Sequence, residues 1–256
     1  MKNLFDLSGR VAVVTGSSKG IGKSIASQLA LHGAKVVVSS RRQESCDAVA
    51  SEINQSLPKG SGSALGIACH VGKKSDLENL VNGTKKKLGK IDILVSNAAV
   101  NPFYGSMLEI SDMAYEKVLD SNVKSNHWLS QLVIPDMIEQ RDGVILFISS
   151  VGGLRGSSTL GTYGVSKAAD IAIIRNISAE FGLYNIRANA IAPGLIRTDF
   201  AKALWENPET LKNSTNNSHL KRIGEPDEIA GAAVFLASDA GRFVSGQTII
   251  IDGGGC

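Results

Sequence analysis

The stretch Arg10-Val11-Ala12-Val13-Val14-Thr15-Gly16-Ser17-Ser18-Lys19-Gly20-Ile21-Gly22 decides the fold. An unbroken short apolar run closed by a glycine-rich turn reads as a strand, over 10–15, buried on both faces. A helix follows to about His32, and Gly33 ends it, because glycine tolerates the positive φ of a helix terminus. Glycines at 16, 20 and 22 let the backbone approach a pyrophosphate. The helix N-terminus behind them offers free N–H groups and the positive end of its dipole. A glycine-rich turn alone is a weak signal. Its place directly after an apolar strand is the context that gives it meaning.

The same alternation runs along the whole chain. Further strands are expected over 35–39, 64–69, 91–96, 144–149, 187–191 and 247–251. Helices are expected over 43–56, 75–88 with Ser75 as N-cap, about 111–140 with a break near Pro135, 162–183 and 226–237. Residues 201–221 read as polar and irregular. Continuous apolar strands separated by helices indicate a parallel sheet covered on both faces. Right-handed crossovers then give a Rossmann-type, doubly wound α/β fold of about seven strands, with a ligand crevice at the carboxyl ends of the strands. The chain has no internal repeat and no low-complexity linker, so residues 1–256 read as one domain.

Composition narrows the function. The chain has 256 residues, 43% hydrophobic and 20% charged, with a net charge of +3. That suffices for one large core. Lys and Arg are interspersed with Asp and Glu, which argues against a nucleic-acid surface. No apolar run is long enough to span a bilayer. Cys46, Cys69 and Cys256 are odd in number and suit neither a disulfide framework nor zinc, and the four His are scattered, so no metal site is expected. A reducing compartment fits, the N-terminus lacks a signal-peptide core, and the cytoplasm is the default expectation. The triplet Gly22-Lys23-Ser24 could close a nucleoside-triphosphatase loop. That loop needs glycine at position 17, where this chain has Ser, and no later strand ends in the Asp that would hold magnesium.

A proton-transfer device is visible further on. Tyr163 and Lys167 are four residues apart and share one helix face, and a serine lies thirteen residues before the tyrosine. An unperturbed phenol titrates near about 10. A fixed ammonium beside it favours the phenolate and is expected to bring it toward the working range. Such a group can give a proton to a carbonyl oxygen or take one from an alcohol.

The glycine spacing Gly-x-x-x-Gly-x-Gly at 16, 20 and 22, with Ser96-Asn97-Ala98-Ala99, Asn122, Ser150, Tyr163, Lys167, Pro193-Gly194, Arg222-Ile223-Gly224-Glu225-Pro226 and Asp252-Gly253-Gly254, resembles the single-domain type of the short-chain dehydrogenase/reductase family. The resemblance implies an oxidoreductase transferring hydride between a nicotinamide and a carbonyl or secondary alcohol. It implies Tyr163 as acid or base, Ser150 as donor to the substrate oxygen in preference to Ser149, and Lys167 on the nicotinamide ribose. Asn122 would hold a water that relays protons. Cofactor contacts are expected from Gly16, Ser18, Lys19, Gly20, Ile21, Gly22, His70, Val71, Asn97, Ala98, Pro193, Gly194, Ile196 and Thr198. The family often has Asp where this chain has His70, and Gly where it has Ala99.

The second strand ends Ser39-Ser40-Arg41-Arg42 without the acid that usually accepts from the ribose of NAD. Ser40, Arg41 and Arg42, with Lys19 from the glycine loop, are placed to receive a 2′-phosphate, so NADP(H) is the expected cofactor. Asn101, Phe103, Val151, Ser157, Leu160, Leu195, Phe200, Leu204 and Trp205 are candidate walls of a substrate pocket. They are mostly apolar and suit a hydrophobic ketone or aldehyde, and the family look is that of carbonyl and retinol reductases. A 3-oxoacyl-carrier-protein reductase is the near alternative, and a non-catalytic NADP-binding regulator the alternative of another class. Residues of about 198–221 would form a lid. In relatives the long helices pack across a two-fold axis, so a homotetramer is expected.

Overall fold

The computed structural model describes residues 3–256. Seven parallel strands form one sheet in the order β3-β2-β1-β4-β5-β6-β7. They are β1 (Val11–Thr15), β2 (Lys35–Ser39), β3 (Ser63–Gly66), β4 (Ile93–Ser96), β5 (Gly143–Ile148), β6 (Ile186–Pro193) and β7 (Thr248–Ile251). The strands are buried on both sides because their residues are apolar at successive positions rather than at alternate ones. In β5, Val144, Leu146 and Ile148 point into one core, with Ile145 and Phe147 in the other. Each such side chain, fully removed from water, contributes roughly 1.5–3 kcal/mol before entropic costs.

One face is covered by α1 (Gly20–Leu31), α2 (Gln43–Ser56) and α9 (Pro226–Ala237). The other is covered by α3 (Lys74–Leu88), α5 (Ser125–Gln140) and α6 (Gly161–Phe181). The strand order reverses between β1 and β4, so the loops leaving those two strands diverge and open a crevice between them.

Several local expectations are corrected. Ser75 does not cap α3; Lys73 stands at the N-cap, with no side chain bonding the first turn. The helix over 111–140 does not break at Pro135. It runs as α4 (Asp112–Leu119), a π-helical turn (Asp120–Lys124) and α5. Pro135 removes one N–H, but the Gln131 carbonyl it would have served lies on the exposed face, where water can replace it. Residues 201–221 are not irregular, since α7 (Lys202–Trp205) and α8 (Pro208–Asn217) occupy them. Asn207 caps α8, its side chain accepting from the Thr210 N–H at 2.9 Å, with Pro208 in the first turn. Asn-Pro-Glu at a helix start is a legible signal that the polar composition obscured. β3 stops at Gly66 rather than Cys69, although the Cys69 N–H still reaches the Ser40 carbonyl.

Candidate active site

The glycine loop leaves β1 with Gly16 at φ +65° and Gly20 at φ +57°. α1 begins behind it with Lys19 extended at the N-cap and no side chain bonding the first turn, so its leading N–H groups are free for an anion. The loop is held tightly from below. The Asn97 side chain donates to the carbonyls of Thr15 (2.9 Å) and Gly16 (3.1 Å), and the Thr15 hydroxyl accepts from the N–H groups of Asn97 and Ala98. A Cβ on Gly22 would lie 2.4 Å from that Asn97 amide nitrogen. These residues fit the pyrophosphate of a dinucleotide, through backbone donors, a helix N-terminus and no side chain in the way.

The Ser17 N–H donates to the Ser39 carbonyl, which sets the exit of β2 beside the loop. Arg41 and Arg42 follow, both exposed, and the Ser40 hydroxyl contacts the Cys46 sulfur at 3.3 Å. The exposed Lys19 ammonium pairs at 3.0 Å with Asp199, an acid that follows Thr198. His70 is exposed beside half-buried Val71, and its N–H donates to Asp76. Gly194 is bonded to the Ile251 carbonyl at the end of Pro193 and β6, and Thr198 packs over Gly20. The Ile196 side chain is buried in the core, so only its backbone can face a ligand. Ser18 and Ile21 lie within the loop and the first turn of α1.

Across the crevice, β5 ends and the chain turns at Val151–Gly153 against the first turns of α6. This approach needs glycine on both sides. A Cβ on Gly164 would lie 2.6 Å from the Gly152 carbonyl oxygen, and one on Gly153 would lie 2.7 Å from the backbone of Lys167. The resulting closeness brings Ser150 and Tyr163 to the same side of the turn: a Cβ on Gly152 would lie 3.4 Å from the Ser150 hydroxyl oxygen and 4.0 Å from the Tyr163 ring. Ser149 is spent elsewhere, donating to the Lys167 carbonyl at 2.8 Å. Lys167 is buried, its Nζ 5.8 Å from the Tyr163 ring centroid, and donates to the Ile148 carbonyl (2.8 Å) and to Asp170 (3.0 Å). Asn122 lies in the π-helical turn. Its carbonyl oxygen accepts from the Val100 N–H, and its amide donates to the Val100 carbonyl and to Ser166.

Burial pushes the Tyr163 phenol above its ordinary range; Lys167 opposes this and Asp170 adds to it. The expectation that the Lys167 ammonium brings the phenol toward the working range is therefore corrected. The ammonium acts in the expected direction, but desolvation is larger and a carboxylate partly cancels its charge. Burial works against the charged form of Lys167, yet Asp170 and Tyr163 hold the ammonium above its usual range. Sequence reading missed Asp170, Asn126 and Ser166. The visible signal was an acid three residues after Lys167, at the step that leads into the apolar positions Ile171, Ile174 and Ile177 of the buried face of α6.

A narrow pocket opens beside Tyr163, walled by Asn101, Phe103, Met107, Ile110 and Leu160. A wider neighbouring cavity of about 420 Å³ takes in Ser157, Leu160, Arg155 and Val165 on the outer side of α6. Phe200 stands with its ring centroid 6.1 Å from that of Tyr163. Val151 is buried in the turn, and Leu195 is half-buried, its carbonyl accepting from Gly224. Trp205 donates to the Thr198 carbonyl at 2.9 Å and lies under the Arg197 guanidinium, so it ties its short helix back to the segment at 197–198. Half-buried Leu204 is on the same short helix. Among the described residues no cluster of His, Cys, Asp and Glu suits a metal ion, and no helix is long and apolar enough to cross a membrane.

Fold and site together define an oxidoreductase that moves hydride between a nicotinamide cofactor and a carbonyl or alcohol carbon. A family model described as "Enoyl-(Acyl carrier protein) reductase" matches residues 16–255. Dehydrogenase/reductase SDR family member 4 of Bos taurus is 42% identical over 249 residues, covering 97% of this chain and 88% of that protein. Among solved structures, a 7α-hydroxysteroid dehydrogenase complexed with NADH and 7-oxoglycochenodeoxycholic acid is 37% identical with a TM-score of 0.93, covering 100% of this chain and 98% of that one. A gluconate 5-dehydrogenase from Burkholderia cenocepacia, in complex with NADP and tartrate, is 30% identical with a TM-score of 0.92, covering 98% and 97%. The chain belongs to the short-chain dehydrogenase/reductase family.

Proposed function

We propose that the protein is an NADP(H)-dependent reductase of hydrophobic ketones or aldehydes, with Tyr163, Ser150, Lys167 and Asn122 as its catalytic group. The observation that carries the reading is the convergence of Ser150 and Tyr163 on Gly152, with the Lys167 ammonium 5.8 Å from the centre of the phenol ring. Two hydroxyl donors converging on one point can hold a carbonyl oxygen and stabilise the charge that develops on it. When bound, the nicotinamide supplies the hydride or takes it up. Tyr163 gives its proton to the oxygen in reduction and removes the alcohol proton in oxidation. Lys167 has one N–H left after Ile148 and Asp170 and offers it to the cleft. Asn122 staples the π-helical turn to Val100 and holds the floor of the site.

Preference for NADP(H) is supported by exposed Arg41 and Arg42 beside the glycine loop and by the lack of an acid between Ser39 and Glu44. Arg41→Asp should raise the dissociation constant for NADPH far more than that for NADH; equal changes would sink the assignment. An apolar substrate is supported by Phe103, Met107, Ile110 and Leu160 around Tyr163, and by the bulky oxo-steroid bound to the hydroxysteroid dehydrogenase relative. The family model's description names an enoyl group on acyl carrier protein; a 3-oxoacyl thioester on the same carrier, reduced at its ketone instead, is the second reading. We treat residues 1–256 as one domain in the cytoplasm, with the segment of about 198–221 as lid, and a homotetramer as the assembly. Exposed Met113, Val165 and Phe243 support an assembly, and gel filtration with light scattering tests it.

The deciding experiment is NADPH oxidation with acetophenone, cyclohexanone, a diketone, retinal and a 3-oxoacyl thioester, run beside Tyr163→Phe. Turnover of a hydrophobic ketone or aldehyde, abolished in the variant, is expected. Undiminished turnover without the phenol would overturn the assignment of Tyr163.

A further inference from the structure

Lys167 and Asp170 form an ion pair at 3.0 Å in which both side chains are almost wholly buried, at 2% and 0% exposure. The second oxygen of Asp170 accepts from the Asn126 amide at 2.8 Å. One turn earlier, the Asn122 amide donates to Ser166 at 3.0 Å. Positions 122 and 126 thus form two rungs to 166 and 170, joining the helix at 120–140 to α6. The lower rung grips the carboxylate that grips the lysine.

We propose that Asp170 is a positioning residue for the reaction: it holds the Lys167 ammonium in place and partly neutralises it, setting how readily the Tyr163–Lys167 pair releases a proton. The proposal rests on the reading of Tyr163 as acid and base. The physical ground is charge counting in a dry site. With Asp170 present, phenol, ammonium and carboxylate sum to zero before the phenol ionises. Without the carboxylate the pair carries a net positive charge, and whichever group yields the first proton, the pair yields it at lower pH. Among the described residues no other charge in the surroundings plays this part. β5 and the Val151–Gly153 turn carry no titratable side chain. Arg187 of β6 is bonded to backbone carbonyls. On the helix at 112–140, Asp112, Glu116, Lys117, Asp120, Lys124, His127 and Glu139 are exposed, and Asp136 pairs with Lys85. Arg175 and Glu180 of α6 itself are exposed as well.

Burying a lysine beside an aspartate also has a merely structural use, since a lone buried charge is costly. The test must therefore read protonation. The pH dependence of kcat/KM is measured for oxidation by NADP+ of the most active of 1-phenylethanol, cyclohexanol and retinol, in the intact protein and in Asp170→Asn, Asp170→Glu and Tyr163→Phe. Oxidation needs the deprotonated pair, so activity rises through an acid limb. In Asp170→Asn, which keeps shape and removes charge, this limb should move down by about one pH unit or more. Asp170→Glu should restore the original profile. If Asp170→Asn does not fold, Asp170→Ser, which leaves room for water beside the ammonium, carries the same expectation. A folded neutral variant with an unmoved limb overturns the proposal, as does failure of both neutral variants to fold, which would make Asp170 a folding residue. Activity in Tyr163→Phe, or no turnover of any of the three alcohols, overturns the underlying reading instead.

Discussion

Replacing Gly22 by alanine opposes two effects whose sizes the structure allows to be compared. Gly22 lies inside α1, where alanine is intrinsically the better helix former by about 1 kcal/mol. On propensity alone Gly22→Ala would stabilise. The added Cβ, however, would sit 2.4 Å from the Asn97 amide nitrogen and 2.6 Å from the Gly16 carbonyl oxygen. The first is about 1 Å short of ordinary contact, and neither neighbour is the free end of a flexible chain. The Asn97 amide is fixed by the Thr15 and Gly16 carbonyls, so relief must stretch those bonds or lift the loop. Overpacking of this kind costs about 1–3 kcal/mol, and each weakened hydrogen bond about 0.5–1.5 kcal/mol. The clash wins, with a net loss of about 1–3 kcal/mol and a fall in Tm of about 3–10 °C for a chain of this size. The lifted loop also misplaces the N–H groups meant for the cofactor phosphates. Losing one charge-assisted bond raises Kd about tenfold or more. Differential scanning fluorimetry and a fluorescence titration with NADPH measure both. An unchanged Kd with a Tm raised by about 2–4 °C would show that propensity alone acts there, and the steric account of the loop would be wrong.

Arg187→Met should lower Tm by about 5–10 °C, because the guanidinium donates to the Leu236 and Gly241 carbonyls in a half-buried site and the substitution leaves both without that donor; a change under 2 °C in a thermal melt would contradict this. Burial pushes the Cys69 thiol up to about 12 and Cys46 is also buried, so native protein should react rapidly with one equivalent of an aromatic disulfide reagent, at exposed Cys256. The other two thiols should appear only after unfolding, and fast reaction of two or three in the native state would refute the burial assigned to them.

The strand-and-helix alternation, the glycine loop after β1 and the four-residue step from Tyr163 to Lys167 were legible in the linear chain. They depend on periodicity and on short-range backbone geometry, which neighbouring residues determine by themselves. Asn207 and Pro208 at the start of α8 belong to the same kind of information, although the polar run around them hid it. Tertiary structure alone decided how charges are satisfied over long separations. Asp199 takes Lys19, Asn126 closes on the Asp170 that holds Lys167, and Arg187 spends itself on carbonyls from α9 and the turn after it. It also decided the electrostatic balance at Tyr163, where burial outweighs the ammonium. Both follow from one cause. A charge's effect is set by how much water is left around it and by which groups the packed helices bring within a few ångströms, and neither quantity is a property of sequence spacing.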